Sequence, residues 1–279
     1  MGLSMFFVIC ILHSAIAITS GSLIMFCLNE INIFAHGVQT AEKLLGSTPH
    51  DQLLIQTSNS FVGLLLFVIG FLVFMVAFVK DKEFQSFFAK GCILIHLSMA
   101  LWRVNFERRL EDLAWDWPRQ VAAEVSDVVL NRYNTMGLSM FFVICILHSA
   151  IAITSGSLIM FCLNEINIFA HGVQTAEKLL GSTPHDQLLI QTSNSFVGLL
   201  LFVIGFLVFM VAFVKDKEFQ SFFAKGCILI HLSMALWRVN FERRLEDLAW
   251  DWPRQVVGDI LLALSWVFFL LYTWREKYD

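Results

Sequence analysis

Histidine and arginine side chains inside long apolar segments are the residues of this chain whose chemistry stands out. His13 and His96 fall at similar depths in two segments that cross in the same direction, and Arg103 lies on the same helical stripe as His96. An ionisable side chain is costly in lipid and usually faces other helices or a water-filled cavity. The three residues therefore form a candidate polar site within the membrane.

Two kinds of role are open to the paired histidines. They could relay protons or ions, or ligate a metal or haem through their ring nitrogens. They could instead be neutral side chains that hydrogen-bond to Ser14, Ser98 or a neighbouring helix, which is the role we expect. Glu30, at the end of the first apolar segment, is expected to meet Arg103 or the pair Arg108 and Arg109 in a solvated interface network.

Sequence motifs of enzymes are missing from the chain. No nucleophile stands beside a base, and no H-E-x-x-H pattern or glycine-rich phosphate loop occurs. We therefore expect a non-enzymatic protein with no catalytic residue, no metal site and no cofactor. The net charge of −4 includes no basic stripe, so we expect no nucleic-acid partner.

A direct duplication divides the chain. Residues 1–121 recur without a substitution as residues 136–256. The second copy restarts at a methionine and continues through a further apolar segment, whereas the first copy ends in polar sequence. We therefore expect a truncated first copy (1–121), a polar linker (122–135) and a complete second copy (136–279). The candidate residues recur in the second copy as His148, His231, Arg238 and Glu165.

The composition is that of a membrane protein. Hydrophobic residues make up 57% of the chain and charged residues only 15%, which is too few to cover a water-exposed surface. About 20 apolar residues cross a bilayer as a helix, because backbone amides in lipid must bond within the segment. The sequence predicts an all-α polytopic transmembrane helical bundle in the lipid bilayer, a four-helix unit preceded by a three-helix truncated copy. The predicted spans are residues 3–28, 61–79, 87–104, 138–163, 196–214, 222–239 and 256–274.

The connection after the first span carries a second helical pattern. Apolar residues from Phe34 to Leu45 recur at helical spacing, which predicts one amphipathic helix capped near Gly46. Thr48 followed by Pro49 is typical of an N-cap and the first turn of another helix. We expect this hairpin to extend beyond the bilayer.

Charge does not decide the orientation, because lysines and arginines are equally numerous on the two sides of the complete unit. We expect cytosolic termini, with Asp259 at the headgroups near the start of the last span. Three spans in the first copy would place the identical copies in opposite orientations, yet inverted repeats in transporters have usually diverged. We therefore favour a very recent tandem duplication, or two neighbouring genes read as one, in which residues 136–279 are the physiological unit. Arg275 and Lys277 resemble a dibasic retrieval signal, which favours an endomembrane, the endoplasmic reticulum.

The start MGLSMFFVICILHSAIAITSG and the stretch LAWDWPRQVVGDILLALSW are similar to small uncharacterised four-span membrane proteins of plants. The resemblance covers each copy nearly whole and implies no activity and no functional residue. Ala17 and Gly21 form a small-residue pair suited to close helix contact. We expect a scaffold or assembly partner that binds itself or other membrane proteins through such faces and the hairpin. A proton- or ion-coupled transporter or channel, and a haem-binding redox protein, are the alternatives.

Overall fold

The protein is a bundle of helices in a computed structural model that describes residues 4–106, 139–245 and 252–278. These ranges contain no strands, and seven of their helices are long and apolar enough to cross a membrane. The all-α transmembrane bundle is therefore confirmed, while the predicted linker 122–135 lies outside the described residues. The helices are α1 (Met5–Phe26), α2 (Leu28–His36), α3 (Val38–Lys43), α4 (Pro49–Val76), α5 (Lys82–Asn105), α6 (Met140–Phe161), α7 (Leu163–His171), α8 (Val173–Lys178), α9 (Pro184–Val211), α10 (Lys217–Asn240) and α11 (Trp252–Tyr278).

Side-chain caps set where the long helices begin. Ser4 Oγ accepts a hydrogen bond from the Phe7 N–H (3.1 Å) at the start of α1. Thr48 caps α4 with Pro49 in the first turn, as predicted. Because of this cap, α4 begins well before the predicted boundary at Phe61, and its 28 residues exceed the length that a bilayer needs. The boundary was wrong because it counted apolar residues alone.

The hairpin after α1 consists of two short helices, so the prediction of one continuous amphipathic helix was wrong. Gly37 separates α2 from α3 with a φ of 80°. This left-handed conformation ends a helix, and glycine adopts it without strain. Phe34 is 94% exposed whereas Ala41 is buried, so the predicted apolar stripe does not form one buried face.

Small residues bring α1 and α4 into backbone contact. Ser14 Oγ donates to the Gly70 carbonyl (2.7 Å), and Gly21 meets Gly63 further along the pair, so the two helices are antiparallel. A Cβ on Gly21 would lie 2.5 Å from the Gly63 oxygen, and Ala17 packs against Gly70. The predicted small-residue face is thus confirmed. The second copy repeats the contact between α6 and α9 through Gly156, Gly198 and Gly205.

The two copies pack along α4 and α9, which run parallel. Ser58 and Ser193 are equivalent residues, and their hydroxyl oxygens lie 2.8 Å apart. When residues along one helix contact their own equivalents on another, a two-fold axis runs between the two helices and parallel to them. Apolar clusters on either side of the serines also hold equivalent residues of both copies, Leu54 with Leu189 and Leu65 with Leu200.

The third long helix of each copy packs against the second long helix of the other copy. Trp102 of α5 donates its Nε1–H to Ser195 Oγ of α9 (3.1 Å). Trp237 of α10 donates to Ser60 Oγ of α4 (3.2 Å). The same reciprocal packing continues towards the other end of these helices, where Gly91 faces Met210 and Gly226 faces Met75.

The parallel packing sets the relative orientation of the two copies. Because α1 and α6 are antiparallel to α4 and α9 in the same way, the two copies share one orientation and do not form an inverted pair, the arrangement that the sequence analysis did not favour. The pairing of Trp102 with Ser195 and of Gly91 with Met210 makes α5 antiparallel to α9. The end of α5 and the start of α6 therefore lie at opposite ends of the bundle.

We predict that Gly198→Ala destabilises the fold, whereas Gly258→Ala does not. A Cβ at Gly198 would lie 2.6 Å from backbone atoms of Gly156 and Met160, so α6 and α9 must separate. Nothing lies within 4 Å of a Cβ at Gly258, which is also inside a spanning helix. Overpacking of this kind costs about 1–3 kcal/mol. Thermal unfolding of the full chain in detergent measures the effect, and equal midpoints for the two variants would contradict the packing.

Candidate functional site

A cavity of about 860 Å³ lies between the helices of the second copy and α4 of the first copy, walled by α4, α6, α7, α9, α10 and α11. Its lining is mainly apolar and includes Ile151 and Leu201. Its size falls in the range of small-molecule sites. The structure brings to this one space three side chains that the sequence placed on two separate spans, namely His148, His231 and Arg238.

The two histidines of each copy lie against one another. The ring centroids of His148 and His231 are 5.4 Å apart, and those of His13 and His96 are 6.0 Å apart. Nδ1 of His148 lies 2.9 Å from the carbonyl oxygen of Ile144 in its own helix. A ring that donates from Nδ1 and stays neutral keeps Nε2 as an acceptor. Such a pair can accept or pass a proton, or hold a hydrogen-bonding ligand.

The serines next to the histidines are engaged elsewhere, so they are not the histidine partners expected from the sequence. Ser14 donates to the Gly70 carbonyl of α4, and Ser98 donates to the Leu94 carbonyl of its own helix (2.9 Å). Ser265 of α11 is the nearer hydroxyl, with its Oγ 3.5 Å from His148 Nε2. That distance is at the limit of a hydrogen bond.

Buried polar atoms without a partner point to the same region. Among the described residues, Trp266 Nε1 and His231 Nδ1 are buried and have no hydrogen-bond partner. Trp266 is fully buried, and its ring centroid lies 5.0 Å from that of His148. An unsatisfied buried donor costs free energy, so such groups normally bond to water or a ligand. Both atoms belong to residues that line the cavity.

A buried ion cluster lines part of the cavity. Arg238 Nε donates to Asp259 Oδ2, and its Nη1 donates to Glu242 Oε2, each at 2.8 Å. Gln255 Oε1 accepts a further hydrogen bond from Nη1. The guanidinium therefore ties the end of α10 to the start of α11, and its Cζ lies 5.6 Å from the ring centroid of Phe61 in the first copy.

The partners of Arg238 differ from those suggested by the sequence. Asp259 is buried against the arginine, a pairing that the sequence analysis did not predict, and its position at the headgroups stays a prediction. Glu242 lies four residues after Arg238, a helical spacing from which this pair could have been predicted. The carboxylates proposed for the interface network, Glu30 and Glu165, are exposed near the starts of α2 and α7.

The arrangement of the histidines does not favour a metal or haem site. Among the described residues, no three His, Cys, Asp or Glu side chains are grouped as a metal site would require. The rings of His148 and His231 contact each other, so a porphyrin between them would require α6 and α10 to separate. A haem site therefore stays a prediction from the sequence.

We predict a strong energetic coupling between Arg238 and Asp259. Both side chains are largely buried, so removing Arg238 leaves the Asp259 carboxylate without its cation, and removing Asp259 leaves the guanidinium with Glu242 as its remaining carboxylate. Arg238→Gln or Asp259→Asn alone should destabilise the protein by about 3 kcal/mol, and the double variant by less than the sum of the two. Arg243→Gln, at an exposed position in the same turn, is the control and should be neutral. Thermal unfolding of the single and double variants in detergent measures the coupling in a double-mutant cycle. Purely additive losses of stability would show that the two side chains are uncoupled.

Comparison with known proteins places the chain in a family without assigning an activity. No curated protein and no solved structure matches it significantly. The family described as "Domain of unknown function (DUF7865)" matches twice, over residues 1–133 and again over residues 136–267. The two matches fit the tandem duplication, whereas a plant origin and a four-span family stay predictions. The chain belongs to the DUF7865 family, of which it carries two copies of the domain.

Proposed function

We propose that the protein is a non-enzymatic scaffold of the membrane, whose role is to hold transmembrane helices together. The observation that carries this proposal is that polar side chains within the spans form hydrogen bonds from one helix to another. Ser14, Ser58 and Trp237 each bond to a different helix. In lipid, helices associate through such hydrogen bonds and through small-residue packing rather than through the hydrophobic effect.

The hairpin of α7 and α8 is the surface through which the scaffold would bind other membrane proteins. Phe169 on α7 is 93% exposed, and Ile168 and Val173 beside it are also exposed. Exposed apolar residues that cluster beyond the lipid-spanning part of a bundle are typical of protein or membrane contacts. Phe34 presents the same side chain from the first copy. The C-terminal Arg275 and Lys277 support an endoplasmic reticulum location for this assembly.

Photo-crosslinking from the hairpin tests the proposal. We expect benzoylphenylalanine at Phe169 to form discrete protein adducts in native membranes, because that side chain is free to touch a partner. Leu147, which is exposed on the lipid-facing side of α6, is the matched control and should give only lipid adducts. Mass spectrometry of the adducts provides the readout. Lipid adducts alone at both positions would rule out the hairpin as a protein-binding surface.

A second candidate function is proton or ion transport, favoured by the cavity. His148, His231 and Arg238 line one space, and Trp266 and His231 each carry a buried atom without a partner there. Ionisable groups that share an intramembrane cavity are a common feature of proton and ion pathways. The ion cluster at Arg238 would then close one end of the path.

Flux through liposomes tests this second function. If the cavity carries protons, the full chain should collapse a pH gradient across the liposome membrane, and His231→Ala should abolish that flux. Ser233→Ala on the same helix is the control, since its hydroxyl bonds only to the Leu229 carbonyl of α10. A pH-sensitive dye inside the liposomes follows the gradient. Equal rates for empty liposomes and for the unmodified protein would exclude transport of protons.

A further inference from the structure

The contacts between the two copies are reciprocal, which is the mark of an interface between identical partners. Ser47 N–H donates to Asp186 Oδ1 (2.9 Å), and its equivalent Ser182 N–H donates to Asp51 Oδ1 (3.0 Å). Both carboxylates are fully buried. The contacts of Trp102 and Trp237 are reciprocal in the same way, because each indole donates to the equivalent serine of the other copy. A self-complementary surface of this kind defines a two-fold symmetric dimer.

All the residues that make these contacts lie within the duplicated sequence. The first copy contributes residues between Ser47 and Trp102, and the second contributes the equivalent residues between Ser182 and Trp237. Because the copies are identical there, another complete unit could replace the first copy without changing any of these contacts. The surface of α9 and α10 thus fits a second complete unit as well as it fits the truncated one.

Chain connectivity favours two separate units. Helix α5 ends at the opposite side of the bundle from the start of α6, and the sequence that joins these two ends is residues 107–138. Their longest stretch without a charge is six residues, 133–138, whereas a span needs about 20 apolar residues. The charged residues of this segment are Glu107, Arg108, Arg109, Glu111, Asp112, Asp116, Arg119, Glu124, Asp127 and Arg132.

Two separate four-span chains can make the same contacts, and no segment then has to join the end of α5 to the start of α6. The helices α6, α9, α10 and α11 alternate in direction, so a unit of residues 136–279 begins and ends on one side of the membrane. We infer that the surface of α9 and α10 binds a second copy of this four-span unit in a parallel homodimer. In that dimer the third long helix of each unit packs against the second long helix of the other. This inference rests on the scaffold function proposed above and names a second copy as the partner.

Cleavage of the full chain tests self-pairing directly. A protease site is inserted in residues 122–135, and two forms of the chain carry different tags after Asp279. Both forms are co-expressed, cut in the membrane and purified through one tag. We expect the second tag to co-purify, because released four-span units exchange their truncated partners for one another. Failure of the two tags to co-purify after complete cleavage would overturn the inference.

A disulfide reports the geometry of the pair. In a chain whose six native cysteines are replaced, Ser193→Cys should link two released units through their equivalent residues, as the distance between Ser58 and Ser193 requires. Ser233→Cys, on α10, is the matched control and should not crosslink, because its side chain bonds within its own helix. Equal crosslinking of the two variants would contradict the parallel arrangement.

Labelling of the uncut chain checks the shared orientation. Gln39 and Gln174 are exposed and equivalent, one in the hairpin of each copy. Single cysteines at the two positions should react with a membrane-impermeant maleimide from the same side of sealed vesicles. Reaction from opposite sides would overturn the parallel pair. This result does not depend on whether Phe169 binds other membrane proteins, so the inference and the scaffold proposal can fail separately.

Discussion

The structure depends on one constraint, which is that lipid offers no water to satisfy polar groups and no hydrophobic gain for bringing helices together. Helices in such a solvent associate through close packing and through hydrogen bonds between them. This chain uses both means. Glycines at positions 21 and 63 let α1 and α4 touch backbone to backbone, and serines at positions 58 and 193 join α4 to α9.

The same constraint explains why the copies are interleaved rather than side by side. Each long second helix, α4 or α9, contacts its equivalent in the other copy and also receives the third long helix of that copy. The tryptophans at positions 102 and 237 each donate to a serine hydroxyl across the two-fold axis. The result is a pair of units whose stability is shared, since neither central helix is fully covered within its own copy.

The candidate site follows from this packing. The cavity lies where α11 completes the second copy, and its polar end is the cluster of Arg238, Glu242 and Asp259. Of the partners of Arg238 on α11, Gln255 lies within the exact duplication and recurs in the first copy as Gln120, whereas Asp259 follows the end of the duplication and has no identical counterpart there. The histidine pair, by contrast, is present in both copies.

Hydropathy and the duplication were sufficient to determine the helical class, the seven spans, the caps at Thr48 and Pro49 and the small-residue face of α1. These features are local, because they depend on residues close together in the chain and on the length that a bilayer imposes. The break at Gly37 was missed because an apolar pattern can continue across a glycine that takes a positive φ. Only the tertiary structure decided that Asp259 meets Arg238, that α9 receives Trp102, and that the copies run parallel. Identical sequences carry identical spans in either orientation, and only the contacts between them determine their relative direction.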